Sequence, residues 1–484
     1  MIASTYNSTY KLSDGNYVLI NSLSGALDVI NTDIKKVLDD IKRNKKLTLY
    51  PELEELLSFL TKRGYLFNDR DEELNKLTII RDRMTESLAN SNSGVTFNVC
   101  TTYMCNLRCP YCYQGHEIHK ISHALTPAEV DKMFQAVDKI LSMENERGRF
   151  ENATHRMMLY GGEPLLPTTR KTVEQVVKRG IEEYGFRMYA ITNGTFLHEF
   201  LDFLEPYKEN WDYFQISIDG PKHIHDQRRI TAGGTGTFDR IAANISLALE
   251  RGFAVGLRTN VNKDNLAYVK ELATFIEDQH WNTYPNFGWQ VSPVTDHYGD
   301  NLPNHLPEHE LLAEIYNIFG DLEEFMDKFN AKLGTDLNIR TSRIRQSIRT
   351  FDWEKVSELD SCSSVMHSLP YFKECSAREQ RFYAFGAEGL IYACPEAVGK
   401  PETAVGSFFP EYNLDADKHA IWDQDITDSE QCSSCSISLF CGGGCAYANL
   451  MRNGAINKPY CNDSHQTIST YIKKNETAFL ELIK

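Results

Sequence analysis

The eight residues Cys105–Cys112 have the sequence CNLRCPYC and directly follow the apolar run Val95–Thr102, which we predict to be a β-strand. Their spacing, C-x-x-x-C-x-x-C, places three thiols on one short loop at the end of that strand. Three thiolates on one loop can ligate three irons of a four-iron cluster and leave the fourth iron open to another ligand. The alternative is a zinc knuckle with a distant fourth ligand, because structural zinc sites are closed by four ligands.

The composition indicates a folded, intracellular chain. A length of 484 residues suggests two or three domains, and 42% hydrophobic against 24% charged residues is a globular balance. The N-terminus lacks a secretory signal and no apolar segment could span a membrane, so we predict a cytoplasmic protein without a membrane partner. The net charge of −16 argues against a nucleic-acid partner. The 12 cysteines are predicted to be metal ligands before disulfides, since the cytosol keeps thiols reduced.

A parallel sheet is predicted for residues 95–305, where apolar strands alternate with amphipathic helices. This predicts an α/β fold, a partial (β/α)6 TIM-like barrel. Its six expected strands are Val95–Thr102, Arg156–Tyr160, Arg187–Thr192, Tyr213–Ile218, Ala254–Asn260 and Phe287–Val291. Residues 71–94 are interpreted as a linker and residues 306–355 as a helical bridge. Residues 356–484 have weak periodicity and many cysteines, so that end is expected to need bound metal.

The first 70 residues have the pattern of a separate small module. Two apolar runs, Tyr17–Ile20 and Ala26–Ile30, flank a short polar loop and predict a hairpin. Two amphipathic helices and a returning strand at Tyr65–Phe67 follow. A hairpin with two helices and a returning strand predicts a winged-helix-like module over residues 1–70.

The cysteine loop, with Tyr111 before its third cysteine, resembles the signature loop of the radical S-adenosylmethionine (SAM) superfamily. Motifs at later strand ends agree with it: YGGEP at 160–164, TNG at 192–194, SIDGP at 217–221 and HDQRR at 225–229. Taken singly these are ordinary turn sequences, but barrel active sites gather at such strand ends. In that family the cluster donates an electron to SAM, and the radical formed removes a hydrogen atom from the substrate.

The resemblance implies particular ligands. The SAM-binding [4Fe–4S] cluster would be held by Cys105, Cys109 and Cys112. Contacts to SAM would come from Tyr111, Gly161, Gly162, Glu163, Thr192, Asn193, Ser217, Asp219 and Arg229. Cys100 is instead expected to be a small buried hydrophobic residue. No metal is assigned to the histidines near these motifs, His116, His119, His223 and His225.

Eight further cysteines lie between Cys362 and Cys461. Their pattern is Gly-x4-Cys, then C-x2-C-x5-C-x3-C, then a last cysteine, and it closely resembles the iron–sulfur SPASM domain of radical SAM peptide maturases. The resemblance implies two auxiliary [4Fe–4S] clusters, hence three clusters in all. The first would be held by Cys375, Cys394 and Cys445, and the second by Cys432, Cys435, Cys441 and Cys461. Cys362 becomes the fourth ligand of the first cluster; otherwise that cluster keeps an open iron for a substrate thiolate.

The resemblance also implies a function. The N-terminal module resembles the element that binds the leader of a ribosomally made precursor peptide as an added strand. A mere cap on the barrel is the alternative. The chain would then be a peptide maturase that makes a thioether or carbon–carbon cross-link, with an external one-electron reductant such as flavodoxin or ferredoxin. Two other functions stay open: oxidation of a sulfatase residue to formylglycine, and a non-catalytic iron–sulfur or winged-helix binding protein. No spacing singles out a general base.

Overall fold

The computed structural model describes most of the chain. The ranges are residues 1–46, 48, 50–89, 93–115, 118–146, 153–298, 304–334, 370–373, 375, 377–378, 380–461 and 463–481. Cys362 and His116, both named above, lie outside the described residues, as do residues 335–355 of the expected helical bridge. Within these ranges, no helix is long and apolar enough to cross a membrane.

The N-terminal part is a small α/β unit. Its elements are β1 (Ile2–Ala3), β2 (Asn7–Lys11), β3 (Tyr17–Asn21), β4 (Leu27–Ile30), α1 (Thr32–Lys42), α2 (Pro51–Lys62), β5 (Leu66–Phe67) and α3 (Arg70–Ala89). The predicted hairpin is β3 with β4, and β5 pairs with β1. The hairpin turns where the Asn21 side-chain oxygen accepts hydrogen bonds from the amides of Leu23 and Ser24, at 3.0 and 2.7 Å. Strand β2, with the polar sequence NSTYK, was not predicted.

Six parallel strands form the centre of the molecule in chain order. They are β6 (Ser93–Cys100), β7 (Thr154–Tyr160), β8 (Arg187–Thr192), β9 (Trp211–Ser217), β10 (Val255–Val261) and β11 (Phe287–Pro293). Every neighbouring pair among them is parallel. The predicted strands are thus confirmed, and so is the predicted fold class. Parallel strands buried on both faces give the continuous apolar runs that made them recognisable.

Helices cover this sheet. They are α4 (Pro127–Glu146), α5 (Arg170–Lys178), α6 (Leu201–Leu204), α7 (Lys222–Arg228), α8 (Phe238–Glu250), α9 (Val269–Asp278), α10 (Glu308–Phe319) and α11 (Leu322–Phe329). Helix α4 illustrates the packing, because its buried Val130, Met133, Val137 and Ile140 recur every three or four residues and share one face. That face joins the same hydrophobic core as the buried residues of β6 and β7.

The sheet is larger than the six strands expected from the sequence. Strand β12 (Ala331–Leu333) adds parallel to β11, and β13 (Phe382–Phe385) adds parallel to β6 at the opposite side. Antiparallel strands β14 (Leu390–Tyr392), β15 (Gly406–Ser407) and β16 (Asn413–Leu414) continue it. The cysteine-rich C-terminal region therefore begins inside the barrel sheet.

The N-terminal unit rests on the cysteine-rich region. The hydroxyls of Ser8 and Ser436 are 2.7 Å apart, and the Ser22 hydroxyl donates to the Ser436 carbonyl at 2.7 Å. Ser436 directly follows Cys435. Buried Tyr6 belongs to one apolar cluster with Cys432. The small unit is therefore fixed against the loop that carries two of the predicted ligands.

Candidate functional site

The cysteine loop leaves β6 at its carboxyl end, as predicted. The thiols of Cys105, Cys109 and Cys112 all face one cavity of about 340 Å³. Burial, and then the charges of Glu163 and of the other two thiols, raise the pKa of Cys105 to about 12. The three thiols are thus close enough to repel one another when ionised, and a bound cation would relieve that repulsion.

Most residues predicted to contact SAM line the same cavity. These are Tyr111, Gly161, Gly162, Glu163, Thr192, Asn193, Ser217 and Arg229. Asp219 is different, because it is fully buried and does not line the cavity. The strand-end order that suggested these residues therefore corresponds to a real convergence in space.

Two glycines bring the end of β7 against the cysteine loop. A Cβ at Gly162 would lie 2.3 Å from the carbonyl oxygens of Tyr103 and Met104. A Cβ at Gly161, whose φ is +139°, would lie 2.4 Å from the Thr102 carbonyl oxygen. Glycine is thus required by the close approach of two backbone segments.

Glu163 ties two strand ends together. Its carboxylate is 1% exposed and accepts hydrogen bonds from the Thr192 hydroxyl at 2.5 Å, the Asn193 amide at 2.7 Å and the Leu165 amide at 2.9 Å. Burial raises its pKa, and these hydrogen bonds oppose the rise. The Asn193 side chain in turn donates to Asn106 of the cysteine loop at 2.8 Å. The carboxylate thereby fixes the part of the cavity wall that joins the ends of β7 and β8 to the cysteine loop.

Tyr111 is held by charged residues that follow β9. Its hydroxyl donates to the Asp219 carboxylate, and Arg229 Nη1 donates to the Tyr111 oxygen at 2.7 Å. The Arg228 guanidinium lies 4.8 Å from the centre of the Tyr111 ring, a cation–π distance. Asp219, which was predicted to contact SAM, anchors the cysteine loop through Tyr111.

The cavity is also lined by residues that were not predicted from the sequence, among them Arg258, Asn260, His297 and Glu396. Arg258 and Asn260 lie on β10, and His297 follows β11. Glu396 lies two residues after Cys394, and its carboxylate is 3.5 Å from the His297 ring. Burial raises the pKa of Glu396, and His297 opposes this. A period-two pattern could have found Arg258 and Asn260, which share the face of β10 opposite its apolar residues.

The later cysteines fall into two groups in space. Burial, then the thiols of Cys445 and Cys375, raise the pKa of Cys394. Burial raises the pKa of Cys432 to about 11 against a hydrogen bond from Ser429, and three other thiols add to the rise: Cys441, Cys461 and Cys435. These groups match the two ligand sets that the resemblance implied.

Cys100 and three histidines lie outside these sets, and one of the histidines, His119, also lines the cavity with its Nε2 atom 3.5 Å from Cys112 Sγ. Cys100 is fully buried, its thiol donates to the Thr102 carbonyl at 3.4 Å, and burial raises its pKa. His119 is buried, with Nδ1 2.8 Å from the Tyr103 carbonyl oxygen. His225 is buried between β9 and α8. His223 is exposed beside Glu271.

The donor sets suit iron–sulfur clusters. In the described ranges, no three His, Cys, Asp or Glu side chains are arranged to hold one metal ion. The fit therefore rests on the donors themselves: three thiols on one loop, with a cavity in front of them that also presents a carboxylate, hydroxyls and Arg229. A cluster with one open iron needs thiolates on one side and space for a polar ligand on the other.

Comparison with known proteins identifies a radical SAM domain. Residues 99–276 match the model of the Radical SAM superfamily. The chain is 25% identical over 387 residues to the cysteine-type anaerobic sulfatase-maturating enzyme of Clostridium novyi (strain NT), which covers 77% of this chain and 92% of the relative.

Two solved structures share the fold. Native anSMEcpe with bound AdoMet and the Cp18Cys peptide matches with a TM-score of 0.55 and 17% identity, over 80% of this chain and 99% of that one. Streptococcus suis SuiB bound to the precursor peptide SuiA matches with a TM-score of 0.54 and 14% identity, over 96% of this chain and 99% of that one. Residues 99–276, which include the cysteine loop, form a radical SAM domain, and the chain is an enzyme that uses SAM as a co-substrate.

Proposed function

We propose that this enzyme removes a hydrogen atom from a residue of a ribosomally made precursor peptide and forms an oxidative cross-link, a thioether or a carbon–carbon bond. The extent of the cavity carries the proposal. At one end lie Cys105 and Cys112, and the cavity reaches Pro395 and Glu396, which directly follow Cys394. A substrate in it would contact residues beside two predicted clusters at once.

The predicted ligands fit the groups assigned to them. Cys105, Cys109 and Cys112 would hold the SAM cluster. The polar wall would hold SAM through Gly161, Gly162, Glu163, Thr192, Asn193, Ser217 and Arg229, with Tyr111 beside them. When bound, cluster and SAM supply the one-electron chemistry that removes the hydrogen atom.

The chain's own residues position the cysteine loop and SAM and shield the substrate from water. Asp219 and Arg229 hold Tyr111, which keeps the cysteine loop in one orientation. The Arg229 guanidinium also faces the cavity, where it would attract the SAM carboxylate. Met158 and Ile191 give the cavity an apolar wall that limits access of water to the substrate.

Two further clusters would take up the electron released as the cross-link forms. Cys375, Cys394 and Cys445 would hold the first, with Cys362 as the proposed fourth ligand. The second would be held by Cys432, Cys435, Cys441 and Cys461. Within each set, the neighbouring thiols raise the pKa of Cys394 or of Cys432, and this closeness supports the division. The enzyme would also need an external one-electron donor, such as flavodoxin or ferredoxin, and a cytoplasmic location would provide one.

The N-terminal unit would hold the leader. Strand β4 is an edge strand of its sheet in the described part of the chain, so a peptide can add beside it. The match to SuiB, solved with a precursor peptide, extends over 96% of this chain and thus includes this unit. Its contacts with Ser436 would fix a bound leader relative to the clusters.

A second candidate function is sulfatase maturation. The Clostridium novyi relative carries that name, and its match covers 77% of this chain. The substrate would then be a sulfatase segment in which Cys or Ser becomes formylglycine. The larger share of this chain that SuiB matches, 96% against 80% for anSMEcpe, favours the precursor peptide.

One experiment separates the two. The anaerobically reconstituted enzyme is given SAM, dithionite and either the short peptide encoded beside its gene or a sulfatase-derived Cys or Ser peptide. We expect a mass change in the encoded peptide alone. Formylglycine in the sulfatase peptide would favour the second function, and no formation of 5′-deoxyadenosine in any sample would favour a non-catalytic binding protein.

A further inference from the structure

A buried arginine lies among the auxiliary cysteines. The side chain of Arg378 is nearly inaccessible, with the residue 2% exposed. Its backbone amide donates to the Cys375 carbonyl at 3.0 Å, so a tight turn links it to that cysteine. The guanidinium therefore enters the cysteine-rich region from the chain segment that carries Cys375, a predicted ligand of the first auxiliary cluster.

Among the described residues, the guanidinium donates only to main-chain carbonyls, at 3.3 to 3.5 Å: those of Gln424, Gly443, Gly444 and Ile456. Gly443 and Gly444 separate Cys441 from Cys445. An ideal Cβ on Gly443 would lie 3.5 Å from Arg378 Nη1, which is ordinary contact. Arg378 therefore lies directly along the turn that presents Cys445.

Within the described residues, no carboxylate balances the positive charge of Arg378. Among the residues that the structure describes, no acidic side chain is within ion-pair distance of it, and its Nε atom has no hydrogen-bond partner. Arg452 provides the contrast, since it is paired with Asp296 at 2.9 Å. A buried cation costs several kcal/mol unless a negative group compensates it. Long contacts to carbonyl dipoles compensate it only in part.

We propose that Arg378 is the counter-charge of the first auxiliary cluster and raises that cluster's reduction potential. The inference rests on the proposed ligation by Cys375, Cys394 and Cys445. A cluster held by thiolates carries negative charge, and reduction adds one more electron. A cation beside it stabilises the reduced form more than the oxidised form, and net charge and hydrogen bonding are known to set cluster potentials. Arg378 is thus a positioning residue for the turn of Cys445 and an electrostatic partner of the cluster.

The first test is a stability cycle. Arg378→Met and Arg378→Lys are made in the full chain, and the thermal midpoint of each is measured before and after iron–sulfur reconstitution. We expect Arg378→Met to lose much more of the stabilisation brought by reconstitution than Arg378→Lys does. In the iron-free chain, Arg378→Met should change the thermal midpoint little. Equal losses in both forms would mean a merely structural arginine and would overturn the proposal.

Arg63→Met is the matched control for this cycle. Arg63 is a partly buried arginine, paired with Asp28 at 2.8 Å, in the N-terminal unit. Its replacement should lower the thermal midpoint by the same amount in the iron-free and reconstituted forms, since its partner is a protein carboxylate. If Arg378→Met does not fold, the comparison of Arg378→Lys with the unchanged chain decides the test.

The second test measures the potential directly. The loop cysteines Cys105, Cys109 and Cys112 are replaced by Ala so that only the auxiliary clusters remain, and these are titrated by EPR. At fixed potential, Arg378→Met should lower the ratio of reduced to oxidised first cluster about tenfold, or about 59 mV for one electron. Arg378→Lys should lower it less. An unchanged first cluster, or a shift confined to the cluster of Cys432, would overturn the proposal.

Failure of the inference and failure of the proposed ligation give different results. If Cys394→Ala leaves the iron content unchanged, the ligation is wrong and the inference is overturned with it. If iron content falls with Cys394→Ala while the potential does not respond to Arg378→Met, the ligation stands and the inference alone is overturned.

Discussion

The Thr192 hydroxyl, at the end of β8, donates to the Glu163 carboxylate, just beyond β7, at 2.5 Å with both residues buried. This bond fixes the wall of the cavity that faces the cysteine loop. Glu163→Ala would leave that hydroxyl and the amides of Leu165 and Asn193 without their acceptor. We expect the free energy of unfolding to fall by about 3 kcal/mol, since each buried unmade bond costs about 1–3 kcal/mol.

Denaturant unfolding and SAM titration check this prediction together. Glu163→Ala should also weaken SAM binding, because the Asn193 backbone loses its anchor. Glu174→Ala is the control, since Glu174 forms only a partly exposed ion pair with Arg170, and such pairs contribute about 1 kcal/mol or less. A cost for Glu163→Ala no greater than that of the control would contradict the role given to the carboxylate.

Gly162→Ala should damage the cysteine loop. The added methyl would lie 2.3 Å from the carbonyl oxygens of Tyr103 and Met104, so the backbone leading to Cys105 has to move. We expect the iron retained by that loop after reconstitution to fall several-fold. Gly233→Ala should leave it unchanged, because the nearest atom to its Cβ is 3.8 Å away. Iron analysis in a chain lacking the auxiliary cysteines is the measurement, and equal iron in both variants would refute the prediction.

Tyr111→Phe removes the hydroxyl that joins Asp219 to Arg229. Because one buried hydrogen bond contributes about 1 kcal/mol and leaves groups unpaired when lost, we expect a cost of about 1–2 kcal/mol. We also expect faster loss of loop-bound iron to a chelator. Tyr207→Phe is the control, since its hydroxyl reaches only the surface residue Glu182. Identical rates of iron loss in the two variants would show that Tyr111 does not hold the loop.

The burial of His225 leads us to expect that the stability of the folded chain depends on pH. Burial, followed by the charge of Arg229, lowers its pKa from 6.5 to about 4. Its Nδ1 accepts from the Asp219 amide at 3.3 Å, so protonation would place a proton against an N–H group. With a folded-state pKa below the unfolded one, the folded state loses stability as pH falls from about 6.5 to about 4, by up to about 3 kcal/mol.

The measurement is the free energy of unfolding across that pH range for the unchanged chain and for His225→Gln. The difference between the two should narrow as the pH falls, because the variant has no imidazole to protonate. A difference that is constant over the range would mean that His225 does not titrate as its burial requires.

The central strands and the loop could be predicted because local pattern determines them. An apolar run such as that of β6, followed at once by Cys105, needs no distant partner to be recognised. Strand β2 was missed because its polar sequence hides a strand stabilised by pairing with β3. Strand β13 was missed because its partner, β6, lies almost 300 residues away in the chain, at Thr96 opposite Phe382.

Only the site residues that lie in recognisable sequence motifs were predicted. Glu163 and Arg229 follow strands with recognisable sequences, whereas Arg258 and Asn260 depend on which face of β10 points inward. The contact between Asp219 and Tyr111 could not be predicted, because only the folded chain brings the two residues together. Arg378 could not be singled out at all, since its proposed role depends on its burial without a charged partner among the described residues.

The intact mass of the encoded precursor peptide tests the central claim most directly. Reconstituted enzyme, SAM, reductant and peptide are incubated anaerobically, with a Cys105→Ala enzyme in parallel. We predict a peptide lighter by two hydrogen atoms, with 5′-deoxyadenosine formed, and neither change with Cys105→Ala. A peptide of unchanged mass, in a sample where the unchanged enzyme has cleaved SAM, would contradict the claim.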